Sequence, residues 1–571
     1  ASDVYKRQVL VICPASLQQK WQDEMLEKFG LDFKIVNTDY IRQLRRDRGI
    51  HANPWTSFPR LIVSQDWMKS GEPLRLLREI IPAHAKYPRK FDILVVDEAH
   101  NIAPSGSTNY VSESLRTKMV REIAPHFQHK LFLTATPHNG YTESFTALLE
   151  LLDDQRFARN ILPDEKQLQQ AMVRRLKTDL VDADGKPLYP PRKLHALEVN
   201  YTADERSIHQ LLNNYCDSRE SSADADNKAI GTHFVNGLLK KRLFSSPAAF
   251  ASTLEKHVST VSSGGAPKKA TAIDERILRK ALLKADEDYA KDTDYEAAQE
   301  EAVEVASKRS APFTQEQSQL INQLRNWAQR AQHQSDSKAD AICSWIKQNL
   351  KPQGHWNNQR VILFTEYRTT QQWLQKILTE QGYGGDRLDI IHGGMDQEDR
   401  ELIKAAFQTS PDDSPVRILL ATDAASEGID LQNYCHCLIH LEIPYNPNVM
   451  EQRNGRIDRF GQKASEVLIW HPVDAGDGEG QTVGGHKDDI IRALRKLESM
   501  REDMGSVNPV IAPQMSGLIE GSRTQLDTRE AEARTQKAKK YVKADRQLKD
   551  KINKLHQQLV ETQQDFHLTP K

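Results

Sequence analysis

Residues 417–462 read RILLATDAASEGIDLQNYCHCLIHLEIPYNPNVMEQRNGRIDRFGQ, and this stretch decides the fold. It opens with an apolar run, Ile418–Ala421, that suits a buried parallel strand and ends in a loop of small polar residues, Thr422 to Asp430. A second strand-like run, Cys437–Ile443, follows. Next comes a helix crowded with Gln452, Arg453, Arg456 and Arg459 around Gly455. Packing alone gives a helix little reason for three arginines and a glutamine within eight residues. A site that must stabilise charge spreading over a phosphoryl group in flight gives it one. The bland alternative is a basic helix face in water.

Working outward, the same pairing of apolar strand and polar loop recurs on both sides. Upstream, Phe91–Val96 is an apolar strand that ends in Asp97-Glu98-Ala99-His100. Two adjacent carboxylates at the carboxyl end of a buried strand stand where open α/β sheets bind ligands. There Asp97 suits Mg²⁺ held mostly through water, and Glu98 suits orienting and deprotonating an attacking water. His100 would link the pair to its neighbours. Val9–Cys13, Leu61–Ser64 and Lys130–Leu133 give further strands, and Arg360–Phe364, Leu388–Ile391 and Glu466–His471 give a second series. Strands alternating with helical stretches predict parallel, doubly wound sheets. Between the series, from Tyr201 to about Ser335, long polar-apolar helices replace strands, Asp286–Glu304 is heavily acidic, and no catalytic spacing occurs. An acidic helix face in water is the default reading there.

Composition narrows the function without fixing it. The chain of 571 residues carries 78 Lys and Arg against 79 Asp and Glu, so no global positive field draws it onto nucleic acid and any such contact is local. Its five cysteines lack a C-x-x-C pair and read as reduced thiols, and its histidines are dispersed, which argues against a structural metal. No apolar run reaches membrane-spanning length and no signal peptide opens the chain, so the expected compartment is the cytoplasm.

The motifs resemble those of superfamily 2 helicases and translocases. Gln452-x-x-Gly455-Arg456-x-x-Arg459 resembles motif VI and Ala425–Gln432 motif V, while Thr134-Ala-Thr-Pro-His-Asn-Gly140 resembles motif III and Thr365-Glu-Tyr367 motif IV. VLVICPASLQQKW resembles motif Ia of the Snf2 family, although an ordinary strand-to-helix turn reads equally well. With Met172–Leu180 (MVRRLKTDL), YPPRK at 189–193 and FGQ at 460–462, the chain is similar to Snf2 proteins over roughly residues 9–500. Motif V departs from the glycine-richer form of chromatin remodellers and looks closer to bacterial Snf2-like proteins. TATPHNG, LLELLD and SSPAAF are similar to the Snf2-like helicase of DISARM phage-defence islands.

The resemblance implies an α/β fold of two tandem RecA-like doubly wound lobes, with a helical insertion between them and a helical C-terminal tail. It implies ATP and Mg²⁺ as cofactors, duplex DNA as partner, and other defence-system or nucleoprotein components besides. Residue by residue, it assigns catalysis to Asp97, Glu98, Gln452, Arg456 and Arg459, with Mg²⁺ on Asp97. It assigns cofactor contact to His100, Gly428, Asp430 and Arg453. Nucleic-acid contact falls to Pro14, Ala15, Ser16, Thr134, Thr136, Thr365 and Thr422. Arg174, Arg175 and Lys177 read equally as nucleic-acid contacts or as a solvated basic helix end. An RNA or single-strand helicase, and a non-enzymatic DNA-binding scaffold, remain the other readings.

One departure stands out. G-x-x-x-x-G-K-[ST], whose backbone cradles phosphates, is nowhere in the chain. Gly476–Lys487 is glycine-rich but has its lysine displaced, Asp488 where Ser or Thr is needed, and a position beyond motif VI. The expectation is a truncated fragment, inactive or nearly so, that lacks the central strand of lobe 1. Ala1–Gln8 (ASDVYKRQ) reads as foreign sequence joined ahead of it. The expected domains are 1–8 foreign or disordered, 9–155 lobe 1, 156–335 helical insertion and linker, 336–500 lobe 2, and 501–571 a basic helical tail.

Overall fold

The computed structural model describes residues 8–476 except 70, 104–113, 135–141, 162, 174–176, 178–179, 183, 222–227, 264–276, 279, 283–284, 286–290, 424–428 and 445–446, together with 483 and 494. The expected basic tail and nearly all of the 476–487 loop therefore lie outside the described residues.

Two parallel sheets organise the chain. The first holds β1 (Val9–Cys13), β2 (Lys34–Ile35), β3 (Arg60–Ser64), β4 (Phe91–Val96) and β5 (Phe127–Phe132) in the order β2-β3-β1-β4-β5. Val11 lies opposite Ile62 on one side and Val95 on the other, so the central run VLVIC needs apolar side chains on both faces. The second sheet orders β6 (Arg192–Val199), β7 (Val361–Thr365), β8 (Leu388–Ile391), β9 (Ile418–Thr422), β10 (Cys437–His440) and β11 (Val467–Asp474) as β6-β11-β10-β7-β9-β8. At its centre β7 is buried from end to end, with Phe364 beside Ala421 and His440. Each Val, Leu, Ile or Phe so buried contributes about 1.5–3 kcal/mol.

One expectation needs correcting. Residues 192–199 belong to the second sheet and not to the insertion: β6 runs parallel to β11 over eight residue pairs, from Arg192 opposite Val467 to Val199 opposite Asp474. Its charged and half-buried positions mark an edge strand, which lacks the continuous apolar run of the central ones. The first sheet has β1 paired on both sides. Its open edge among the described residues is β5, where Leu131 remains 50% exposed.

Between β6 and β7 in sequence the chain forms a helical layer. It comprises α2 (Ala203–Ser221), α3 (Lys228–Ser245), α4 (Pro247–Ser263), α5 (Asp292–Ser307) and α6 (Gln315–Ala331), which follow α1 (Gln18–Phe29) of the first lobe. Leu212, Tyr215, Leu239, Phe250, Leu254, Leu324 and Trp327 form its core. Thr314 and Gln317 close a reciprocal capping box at the start of α6. Inside, His257 stands between the Tyr215 hydroxyl (2.6 Å) and the Ser307 hydroxyl (2.7 Å). Beyond the layer, the second lobe adds α7 (Arg368–Glu380) and α8 (Pro447–Asn454).

Candidate active site

Strand β4 hands Asp97 and Glu98 to the carboxyl edge of the first sheet. The Asp97 N–H donates to the Ile12 carbonyl (2.8 Å), and the Gln65 amide donates to the Asp97 carbonyl (2.6 Å), so the backbone is held from both sides. The chain then turns sharply: Glu98 has φ of 47°, a left-handed conformation uncommon outside glycine. Holding a non-glycine residue there costs on the order of 1–3 kcal/mol, which the surrounding bonds must supply. The turn keeps both carboxylates at the strand end.

Asp97 is engaged by Trp21, whose indole N–H donates to Oδ2 (2.8 Å), while Oδ1 accepts from the Glu98 N–H (2.9 Å). Burial nevertheless pushes its carboxyl above the usual range, and the neighbouring Glu98 charge adds to the rise. Glu98 shifts the other way. Burial alone would raise it, but His100, 3.3 Å away, and the fields of Arg456 and Arg459 hold it below its ordinary value. His100 also stands 3.2 Å from the Thr134 hydroxyl, so it joins the carboxylate pair to the loop after β5.

Arg456 and Arg459 come from the second lobe, just after α8. The Arg456 Nε donates to the Gln452 carbonyl (3.1 Å), which fixes the arginine along the helix end. Arg459 donates to the Ile429 carbonyl (3.2 Å) and pairs with Asp430. The other Asp430 oxygen lies 3.0 Å from Lys20 of α1, so Asp430 ties the two lobes together. Burial would raise the Asp430 carboxyl, and Arg459, Lys20 and Lys404 keep it low instead.

Other expected site residues are placed elsewhere. Arg453 does not face this cleft: it is 1% exposed and grips Asp423 with two bonds (2.6 and 2.8 Å), with Glu442 3.3 Å away. Thr365 and Thr422 do not present their hydroxyls to solvent. Both are fully buried, Thr365 donating to Glu442 (3.1 Å) and Thr422 to Asp292 (2.8 Å). Pro14, Ala15 and Ser16 form a turn at the carboxyl end of β1, with Ala15 exposed. Thr136, Gly428, Arg174 and Arg175 lie outside the described residues. Lys177 is pinned to Asp458 (3.0 Å), beside Arg192, which pairs with the same carboxylate and with Glu451 (2.7 Å). Sequence reasoning gave no site role to Lys20, Trp21 or Gln65. Lys20 and Trp21 were visible only as part of PASLQQKW, and nothing in spacing marks Gln65.

Among the described residues no three His, Cys, Asp or Glu side chains gather as a metal cage. The donor set still fits Mg²⁺ held mainly by water and phosphate oxygens, since that ion keeps much of its hydration and Asp97 is a half-buried carboxylate at the strand end.

Two family models match the chain. A SNF2-related domain model matches residues 2–247, and a helicase conserved C-terminal domain model matches residues 338–461. Solved structures that match the chain include the Pyrococcus furiosus Hef helicase domain, at 14% identity over 82% of this chain and 93% of that one, TM-score 0.35. The C-terminal part of the Fun30 ATPase domain matches at 17% identity over 59% of this chain and 100% of that one, TM-score 0.29.

Proposed function

Because the chain belongs to the Snf2 family of superfamily 2 helicases, with two tandem RecA-like lobes, we propose that it is a duplex-DNA-stimulated ATPase and translocase. The observation that carries this reading is the bridge across the lobes, where Asp430 pairs with Arg459 and lies 3.0 Å from Lys20 of α1, so the arginines stand beside the lobe that bears Glu98. ATP with Mg²⁺ supplies the phosphoryl group and part of its charge neutralisation. Around it, Asp97 would hold the metal through water, and an ionised Glu98 would orient and accept a proton from the attacking water. Arg456 and Arg459 would stabilise the charge that develops on transfer. A site divided in this way works only when the lobes close, which links hydrolysis to lobe motion.

A phosphate cradle of the G-x-x-x-x-G-K-[ST] type is not among the 571 residues, and we propose that their turnover is correspondingly slow. A role in phage defence rests on the likeness of TATPHNG, LLELLD and SSPAAF to the DISARM helicase. The test is phosphate release with duplex DNA, single-stranded DNA or RNA as activator, for the wild type and Glu98→Gln. The expected result is slow release that rises most with duplex DNA and falls to background in the variant. Release indifferent to Glu98→Gln would remove the assignment, and preference for RNA or single strands would replace the translocase by a helicase.

A further inference from the structure

Helix α5 belongs to the run that reads as a solvated acidic face, yet it docks its acidic side chains into the second lobe. Asp292, 3% exposed, accepts from the Gly393 N–H (2.7 Å) and from the Thr422 hydroxyl (2.8 Å). One turn further along, Glu296 accepts from the N–H and the hydroxyl of Thr369 (3.2 Å each), in the first turn of α7. Between them the Tyr295 hydroxyl donates to Glu366 (2.6 Å) and anchors the helix. Each carboxylate thus takes one backbone amide and one threonine hydroxyl. Those donor pairs, at the carboxyl ends of β8 and β9 and at a helix start, are the kind that proteins use for phosphate oxygens.

We propose that α5 is an autoinhibitory phosphate mimic, in which Asp292 and Glu296 occupy two donor pairs that would otherwise hold consecutive phosphates of a nucleic-acid strand. Three observations support it beyond the contacts. The carboxylates are four residues apart on one helix, and side chains so spaced are close neighbours on a single face, which suits two adjacent anion sites. Thr422 and the β7 end carry the motifs that resemblance associates with nucleic acid, and α5 lies over them. Burial also pushes the Asp292 carboxyl up to about 6, whereas a phosphodiester, a far stronger acid, keeps its charge across that pH range. Arg368, at the start of α7, lies in the field of both carboxylates and would serve a phosphate equally.

The proposal rests on the nucleic-acid reading of the site, and its test separates the two. Duplex-DNA binding by the full chain is followed by fluorescence anisotropy for the wild type and for Asp292→Ala/Glu296→Ala. Removing both acceptors frees the donor pairs, so the variant is expected to bind at least about fivefold more tightly, the lower range of coupling between linked sites. Equal affinity within twofold in two proteins that both bind DNA overturns the mimicry and leaves the DNA reading standing. Failure of both to bind overturns the DNA reading and the mimicry with it. A second measurement avoids variants: hydrogen exchange of the wild type with saturating duplex DNA. Faster exchange across 292–307, with Gly393 and Thr369 still protected, is the signature of a carboxylate replaced by a phosphate. Unchanged or slower exchange across 292–307 while DNA is bound overturns the proposal.

Discussion

Replacing Arg453 by alanine tests whether this arginine is a cleft residue or a structural one. Its guanidinium is 1% exposed and faces Asp423 and Glu442, whose side chains are 27% and 7% exposed. Breaking a buried pair by deleting one partner typically costs about 3–5 kcal/mol, because the remaining charge stays buried and unpaired. Asp423 keeps roughly a quarter of its exposure and can regain water, so the lower end, about 3 kcal/mol, is the appropriate figure. For a lobe of about 150–250 residues each kcal/mol moves the midpoint by roughly 2–4 °C, so the lobe 2 transition should fall by about 6–12 °C. Scanning calorimetry of Arg453→Ala, with Arg456→Ala as control, measures it. The control should move by no more than about 1–2 °C, since Arg456 is only half-buried at the cleft. A shift under about 2 °C for Arg453→Ala, or equal shifts for both, would refute the interior role.

Three further outcomes follow from packing and protonation. Phe250 is fully buried in the core of the helical layer, so Phe250→Ala should destabilise that layer by about 3–5 kcal/mol, read from urea unfolding. Burial holds His257 neutral, its pKa pushed down to about 3 from 6.5. The unfolded chain therefore takes up a proton near pH 6.5 that the native chain refuses until about pH 3, and His257 costs stability as pH falls through that window. His257→Gln should flatten the acid loss of stability by up to about 1.4 kcal/mol per pH unit between pH 6 and 4, and an unchanged slope would contradict the buried neutral state. Finally, Cys13, Cys216, Cys435 and Cys437 are buried free thiols and Cys343 is half-buried. Ellman titration of the native chain should count at most one thiol promptly, and all five after unfolding in urea.

Much of the architecture was legible because buried parallel strands leave little choice of residue. VLVIC, ILVV, VILFT and ILLAT carry apolar side chains on both faces, and each became a strand at or near its expected bounds. Strand β6 escaped because an edge strand can keep charges such as Arg192, Lys193 and Glu198, and its run resembles a linker. Within the arginine-rich helix end, spacing could not separate Arg453 from Arg456: both are arginines near a glycine, and only tertiary packing shows that one is buried against Asp423 while the other stays half-buried on the Gln452 carbonyl. The acidic run was opaque for the same reason. A carboxylate in water and a carboxylate on a backbone amide are the same letter, and Asp292 shows its role only through Gly393 and Thr422.

The central claim is that one cleft is built by both lobes, and carbodiimide cross-linking tests it without ATP or DNA. A zero-length reagent joins an amine to a carboxylate only when they touch, and Lys20 Nζ lies 3.0 Å from Asp430 across the lobes. Within the first lobe, Lys28 and Glu24, 2.8 Å apart, give an internal control. A Lys20–Asp430 linked peptide is expected by mass spectrometry, and its absence in Lys20→Met. A control cross-link between Lys28 and Glu24 with none between Lys20 and Asp430 would contradict the claim.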